Sequence, residues 1–384
     1  MPRPAATVFA SLGTTIFESM SRLAEQHRAI NLGQGFPDEG GPAELIAEAS
    51  AYLSTGNNQY PPMAGLPALR EAIARHERRQ YGLERDPKTE VLVTSGATEA
   101  LAAALLGLVS PGDEVIVFEP LYDSYVPIIR RAGATPVPIR LHAPDFSLDE
   151  AALSAAVSAK TRAILVNDPQ NPAAKVFTRA ELGAITRAAA QADAVIICDE
   201  VYEHLVFDGL EHVPIATLDG ARERTIKIGS AGKIFSMTGW KVGWLTGPAE
   251  LVSVIARAHQ YLTFTTPPNL QAAVAWGLDN ARAWVDGLTR TLQEKRDHFG
   301  AGLERIGMRV LPARGTYFLN VDVGRTEWAG KDAAFCRHLT ERRGVAAIPL
   351  SAFYVRDAPG DVVRFCFAKR IEVLDGALER LSKA

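Results

Sequence analysis

Short apolar runs that alternate with helical stretches constrain the fold of this chain most strongly. The runs are rich in Val and Ile and lie at 91–93, 114–118, 163–166, 194–197, 226–228 and 241–245. Helical patterns lie between them at 98–109, 124–132, 148–157 and 178–190. Alternation of this kind predicts a mostly parallel β-sheet with helices on both faces, which is an α/β fold.

The length of the chain predicts two domains. A chain of 384 residues is longer than one small core requires. We place a large domain at residues 46–285, which contain the alternating pattern. Strand-like runs at 309–311, 316–321, 346–348 and 362–367, with helical patterns at 331–343 and 371–381, predict a small α+β domain. We expect residues 1–45 and 286–384 to form it together.

Composition excludes several classes of function. The formal net charge is −3, which predicts no binding to nucleic acid or to an anionic membrane. The three cysteines are widely separated and odd in number, so we expect no disulfide framework. No apolar stretch of about 18 residues and no signal-peptide pattern is present. We therefore expect a soluble protein of the reducing cytoplasm.

Polar motifs follow several of the predicted strands. They include 94–98, 119–122, 167–172, 199–202 and 230–233. Ligands of open α/β sheets bind beyond the carboxyl ends of the strands, so we expect these motifs to meet at one edge. Lys233, Asp199 and Tyr202 are the amine, acid and phenol that pyridoxal 5′-phosphate requires. The lysine forms a Schiff base, the acid faces the pyridine nitrogen, and the phenol faces the ring oxygen.

A phosphate site is predicted at the same edge. Ala97 and Thr98 begin a predicted helix, where free N–H groups favour an anion. Ser230 and Lys241 add a hydroxyl and a cation. A plain capping turn at 95–98 and a surface position for Lys241 are the alternative interpretations. Tyr122 is predicted to stack on the pyridine ring, unless it is an ordinary core tyrosine.

Two charged residues lie within apolar runs. Asp199 follows four apolar residues, and a buried carboxylate needs a cation such as a protonated pyridine nitrogen. Arg364 lies inside the apolar run 362–367, and its planar guanidinium fits a substrate carboxylate. A structural ion pair is the alternative for each. Asn171 lies among prolines, where asparagine is also common for turn reasons, and is predicted to donate to the pyridine 3-oxygen.

Other common catalytic motifs are absent from the sequence. It has no glycine-rich dinucleotide motif, no phosphate-binding Gly-Lys-Ser/Thr, no Cys-x-x-Cys and no His-Glu-x-x-His. The eight histidines are dispersed along the chain. We therefore predict no metal-dependent catalysis.

Taken together, the motifs resemble those of the fold-type I, pyridoxal phosphate-dependent class I/II aminotransferases. The resemblance extends from Ile16 to Leu381 and is carried by 31–38, 58–62, 199–202 and 364–367. These forms resemble the subgroup of kynurenine/glutamine, methionine and N-succinyldiaminopimelate aminotransferases. Within that subgroup, segments 59–62, 200–208 and 346–353 are most similar to the actinobacterial succinyldiaminopimelate type. The resemblance to the family implies a seven-stranded, mostly parallel sheet in the large domain. It also implies a ping-pong transfer of an amino group from an L-amino acid to a 2-oxo acid.

The resemblance assigns roles to individual residues. Gly35, Asn171 and Arg364 would hold the substrate carboxylate. Tyr60 would reach the phosphate of a neighbouring subunit, so a homodimer with shared active sites is implied. Phe17 and Phe353 match positions that line the side-chain pocket. The family's Asn-Pro-Thr-Gly reads Asn-Pro-Ala-Ala at 171–174, and Lys241 replaces the usual arginine.

Alternative functions remain open on the sequence. A β-lyase acting on cysteine conjugates would use the same residues. A regulatory domain related to aminotransferases is less consistent with the sequence, because such proteins carry a DNA-binding segment before this fold. Aromatic residues near the site favour methionine or aromatic donors, and no group is apparent for the second carboxylate of a succinylated diaminopimelate.

Overall fold

The computed structural model describes residues 7–383, in which helices and short strands alternate. The helices are α1 (Thr7–Ala10), α2 (Ile16–Gln26), α3 (Ala43–Thr55), α4 (Pro67–Tyr81), α5 (Ala97–Leu108), α6 (Tyr125–Arg131), α7 (Glu150–Ala156), α8 (Arg179–Gln191), α9 (Ala231–Ile234), α10 (Ala249–Leu262), α11 (Pro268–Asn280), α12 (Arg282–Arg305), α13 (Asp332–His338) and α14 (Ile371–Ser382). The strands are β1 (Ile30–Asn31), β2 (Val91–Thr94), β3 (Glu114–Glu119), β4 (Thr135–His142), β5 (Ser147–Leu148), β6 (Thr161–Asn167), β7 (Val195–Asp199), β8 (Thr225–Ser230), β9 (Gly243–Thr246), β10 (Arg309–Val310), β11 (Phe318–Asp322), β12 (Val345–Ala346), β13 (Ile348–Pro349) and β14 (Val362–Cys366).

The large sheet has the strand order β2-β9-β8-β7-β6-β3-β4-β5. The strands from β8 to β4 pair in parallel, whereas β9 is antiparallel to both of its neighbours. The mostly parallel sheet of seven strands is confirmed, and the two-residue β5 adds an eighth strand at the edge.

Side chains of the central strands alternate between two hydrophobic clusters. In β3, Ile116 belongs to one cluster, while Val115 and Val117 belong to the other. Ile196 and Ile197 of β7 divide in the same way. Because successive side chains of a strand point to opposite faces, both faces of the sheet are covered.

The second unit is built on a small antiparallel sheet with the strand order β10-β11-β14-β13. Strand β1 pairs in parallel with β12, so the N-terminal segment joins the C-terminal part of the chain. The boundaries at residues 46 and 285 stay a prediction, and each falls near the start of a helix, α3 or α12. Residues 1–6 and 384 of the predicted small domain lie outside the described residues.

Two features of the fold differ from the sequence pattern. Strand β4 has no clean apolar run because it contains Pro136 and Pro138. Over those residues β4 pairs only with β3, so prolines without an N–H are tolerated there. The helical region after Pro268 is two helices that meet at Ala281.

Among residues 7–383, no helix combines the length and apolar character needed to cross a bilayer.

Candidate active site

A cavity of about 400 Å³ lies at the carboxyl edge of the large sheet. The predicted site residues in its wall are Phe17, Gly35, Ala97, Thr98, Tyr122, Asn171, Asp199, Tyr202, Ser230, Lys233, Lys241 and Arg364. Two predicted residues lie outside the wall. Tyr60 is 83% exposed on the surface, and Phe353 is buried behind Phe17, with ring centroids 5.7 Å apart.

Asp199 ends β7 and presents one free carboxylate oxygen. The Tyr125 hydroxyl donates a 2.6 Å hydrogen bond to Oδ2, whereas Oδ1 has no hydrogen-bond partner among residues 7–383. Burial raises the pKa of Asp199 to about 6. An unpaired buried carboxylate oxygen is costly, and a protonated ring nitrogen in the cavity would satisfy it.

Lys233 lies in α9, directly after β8. Its Nζ donates a 2.6 Å hydrogen bond to the Tyr317 hydroxyl, which donates in turn to the Gly35 carbonyl oxygen at 2.6 Å. Burial lowers the pKa of Lys233 to about 8. A neutral amine, which can act as nucleophile or base, is therefore accessible near neutral pH.

The opposite end of the cavity is suited to a phosphate group. Helix α5 begins at Ala97 after Gly96, whose φ is +80°. A Cβ built on Gly96 would lie 3.4 Å from Lys241 Nζ, so the ammonium lies beside the helix N-terminus. A Cβ on Gly243 would lie 2.7 Å from Ala97 N, and only glycine allows β9 to pass this closely. Backbone N–H groups and a cation thus meet at one point.

Arg364 lies in the middle of β14 and is 1% exposed. Its Nη1 donates to Asn171 Oδ1 at 2.7 Å, and its Nη2 donates to the Gly33 carbonyl at 3.2 Å. The guanidinium carbon lies 3.9 Å from the centroid of the Phe318 ring. Burial lowers the pKa of Arg364 to about 10. Within residues 7–383 neither of these hydrogen bonds is to a carboxylate, so the guanidinium can still bind one.

Tyr202 and Tyr122 line the remaining wall. Tyr202 is buried, and its ring packs edge-on against Tyr317 with centroids 5.2 Å apart. Burial raises the pKa of Tyr202 and raises that of Tyr122 to about 12. Both phenols therefore keep their protons and can donate hydrogen bonds.

Several residues of the site carry no clear signal in the sequence. Tyr125 lies three positions after Tyr122, at the start of α6, and its contact with Asp199 comes from the packing of that helix. Tyr317 precedes β11 and meets Lys233 only in the folded chain. Phe318 and Gln34 also line the cavity. In the sequence, Phe318 is marked only by its place near the start of the predicted strand 316–321, and Gln34 only by its place beside Gly35.

A family model matches residues 27–381, and its description is aminotransferase class I and II. The chain belongs to this family. Members of the family are pyridoxal phosphate-dependent, so the predicted cofactor and the aminotransferase activity are confirmed. The free oxygen of Asp199, the amine of Lys233 and the cation at the helix N-terminus fit that cofactor.

Similar proteins support the same conclusion. A probable N-succinyldiaminopimelate aminotransferase of Mycobacterium tuberculosis is 49% identical over 381 residues, covering 96% of both chains. A solved structure of N-succinyldiaminopimelate aminotransferase from the same species has a TM-score of 0.95, 48% identity and 99% coverage of both chains. A methionine aminotransferase of Escherichia coli has a TM-score of 0.96 at 42% identity and full coverage of both chains. These names support the aminotransferase prediction and not the β-lyase or regulatory alternatives.

Proposed function

We propose that the residues in the cavity wall divide the work of transamination among themselves. Lys233 binds the cofactor covalently and, once displaced by substrate, moves the proton at the substrate Cα. Bound pyridoxal phosphate supplies the electron sink for the charge left when that proton departs. Asp199 Oδ1 keeps the pyridine nitrogen protonated, because a carboxylate at that position favours the cation.

The remaining cofactor contacts follow from hydrogen-bonding capacity. Asn171 accepts from Arg364 through its Oδ1, which leaves its amide N–H groups free to donate to the 3-oxygen. Tyr202 would donate to the same oxygen, and Tyr122 would stack on the ring. Ser230, Lys241 and the first N–H groups of α5 hold the phosphate.

The proposal that the substrate is an α-amino acid rests on Arg364. Its guanidinium is buried without a carboxylate among its hydrogen-bond partners, and it lies in the same cavity wall as Lys233. A substrate carboxylate bound to Arg364 would orient Cα toward the amine. Gly35 would contribute to the same carboxylate.

We further propose that the donor side chain is long and largely apolar near Cα. Phe17, Phe318 and Phe353 surround the guanidinium of Arg364 at 5.4, 3.9 and 5.1 Å from their ring centroids. Methionine, aromatic amino acids and N-succinyldiaminopimelate meet this requirement, whereas aspartate does not. The proposed acceptor is a 2-oxo acid in a ping-pong cycle.

A donor panel against 2-oxoglutarate and pyruvate tests this proposal. We expect the highest kcat/KM for one of the long donors, and a higher value for aspartate would contradict it. Amino acid alone should change the absorbance of the bound cofactor in the wild type but not in Lys233→Ala. Release of pyruvate and ammonia from a cysteine conjugate without an oxo acid would reveal β-lyase activity.

We also propose a homodimer in which Tyr60 completes the partner's site. Tyr60 lies outside its own cavity and packs edge-on against Phe264, with centroids 5.6 Å apart. Sedimentation of the holoenzyme should give a dimer. Mixed dimers of Tyr60→Ala and Lys233→Ala chains should recover activity, since one of their two sites is intact. The cytoplasm stays the predicted location, consistent with three buried free cysteines.

A further inference from the structure

A second cluster of potential ligand atoms lies outside the cofactor cavity. His76 on α4 and His204 in the turn after β7 bring their Nε2 atoms to 3.2 Å. Glu203 Oε1 lies 4.0 Å from His76 Nε2. The three ligand atoms lie within 4.8 Å of one another. The residues come from segments 128 positions apart, so the dispersed histidines of the sequence do not reveal the cluster.

One oxygen of this cluster is buried without a partner. Glu203 is 3% exposed, its Oε2 accepts a 2.8 Å hydrogen bond from Lys227, and its Oε1 has no partner among residues 7–383. A buried carboxylate oxygen without a donor or cation is unfavourable. A positive group on the side of His76 and His204 would satisfy this oxygen.

Several buried charged groups surround Glu203. Three carboxylates, of Glu77, Glu200 and Glu203, lie 3.5, 3.9 and 2.8 Å from the single ammonium of Lys227. Arg85 is also buried and pairs with Glu77. These three carboxylates face two permanent cations, Lys227 and Arg85, and Glu200 also pairs with His212 at 2.8 Å. Glu203 keeps one oxygen that a divalent ion could bind.

The spacing agrees with zinc coordination. Bonds of about 2.0–2.1 Å in a tetrahedral site place neighbouring ligand atoms about 3.3 Å apart, close to the separation of the two Nε2 atoms. Glu203 Oε1, at 4.0 Å from His76 Nε2, would have to move closer by about 0.7 Å to reach the same spacing from that nitrogen. A separate cavity of about 250 Å³ has His76 and His204 in its wall, which provides an entry path and a fourth position for water.

We propose that His76, Glu203 and His204 bind one zinc ion. The ion would tie α4 to the turn that follows Asp199 and carries Tyr202, so its role is to stabilise that turn rather than to take part in the reaction. This inference is independent of the proposed donor and of the residue roles in the cofactor cavity.

Zinc binding by the holoenzyme tests the proposal. After chelator treatment and dialysis, Zn²⁺ is titrated in competition with a chromophoric chelator, and Co²⁺ is added separately for its visible spectrum. We expect one Zn²⁺ per subunit and a tetrahedral Co²⁺ spectrum. His76→Gln and His204→Gln should weaken zinc binding at least 100-fold, and Glu203→Gln about tenfold.

His298→Gln is the matched control, because His298 is partly exposed and pairs with Asp375 away from the cluster. This variant should bind zinc like the wild type. Zinc should raise the Tm of the wild type and of His298→Gln but not of His76→Gln. Equal zinc affinity in the wild type and His76→Gln would overturn the proposal, and so would no zinc binding by the folded wild type. His76 and His204 would then be two imidazoles joined by a hydrogen bond.

Discussion

The amine of Lys233 and the hydroxyl of Tyr317 form a hydrogen bond of 2.6 Å that joins the end of β8 to the segment before β11. The same hydroxyl donates to the Gly35 carbonyl. One phenol therefore connects the proposed catalytic amine with the segment proposed to receive the substrate carboxylate.

Replacement of Tyr317 by Phe should make the amine of Lys233 less basic. The tyrosine oxygen accepts a hydrogen bond from the amine and stabilises its charged form, so its loss should lower the pKa of Lys233 further below about 8. Since the base must be neutral, and the amine is free only after substrate has displaced it, the acidic limb of the kcat profile should move to lower pH. We expect kcat to fall about tenfold. Tyr261→Phe, at an 84% exposed residue, should leave the profile unchanged.

Replacement of Tyr125 by Phe should move the pH dependence of cofactor binding to higher pH. The Tyr125 hydroxyl lowers the pKa of Asp199, which burial raises to about 6. Without that donor the pKa of Asp199 rises, so the carboxylate becomes protonated at a higher pH. As the pH falls, the variant should therefore lose cofactor affinity, measured by fluorescence titration, at a higher pH than the wild type does. An unchanged pH dependence would argue against the role of Asp199.

Substitution of Arg364 by Lys should lower kcat/KM for substrates that carry a carboxylate. Lysine keeps the charge but loses the planar fork, and each charge-assisted hydrogen bond contributes about 1.5–3 kcal/mol. We expect kcat/KM for the best amino acid to fall about 100-fold, mainly through KM. The corresponding amine without a carboxylate is the control, and its slow turnover should change little. An equal loss for both donors would indicate a structural role.

Substitution of Lys241 by Ala should weaken cofactor binding. The ammonium lies beside the N-terminus of α5, and loss of one phosphate contact should raise the Kd of pyridoxal phosphate about tenfold, or about 1.4 kcal/mol. Lys241→Arg should stay close to the wild type, because arginine also carries the charge. Lys383→Ala, at an exposed residue of the C-terminus, serves as the control in equilibrium dialysis.

The elements that form the site differ in how well the sequence predicts them. Asp199 follows a continuous apolar run and Lys233 follows the strand-like run 226–228, so their position after a strand is evident before folding. The run around Arg364 predicts burial in the same way. Strand β4 lacks such a run because it contains Pro136 and Pro138. These prolines are tolerated because one side of the strand is largely unpaired. Tyr317 and Tyr125 were not predicted, since a contact between distant segments leaves no local pattern.

The sequence by itself determined the fold class, the order of most strands of the large sheet along the chain and the residue types at their carboxyl ends. These follow from hydrophobic periodicity, which acts over a few residues. Only the tertiary structure decided which lone pairs and cations remain unsatisfied. The free oxygen of Asp199, the guanidinium of Arg364 without a carboxylate and the orphaned oxygen of Glu203 depend on which segments pack together. Burial then makes each unpaired group unfavourable, and so each marks a place for a ligand.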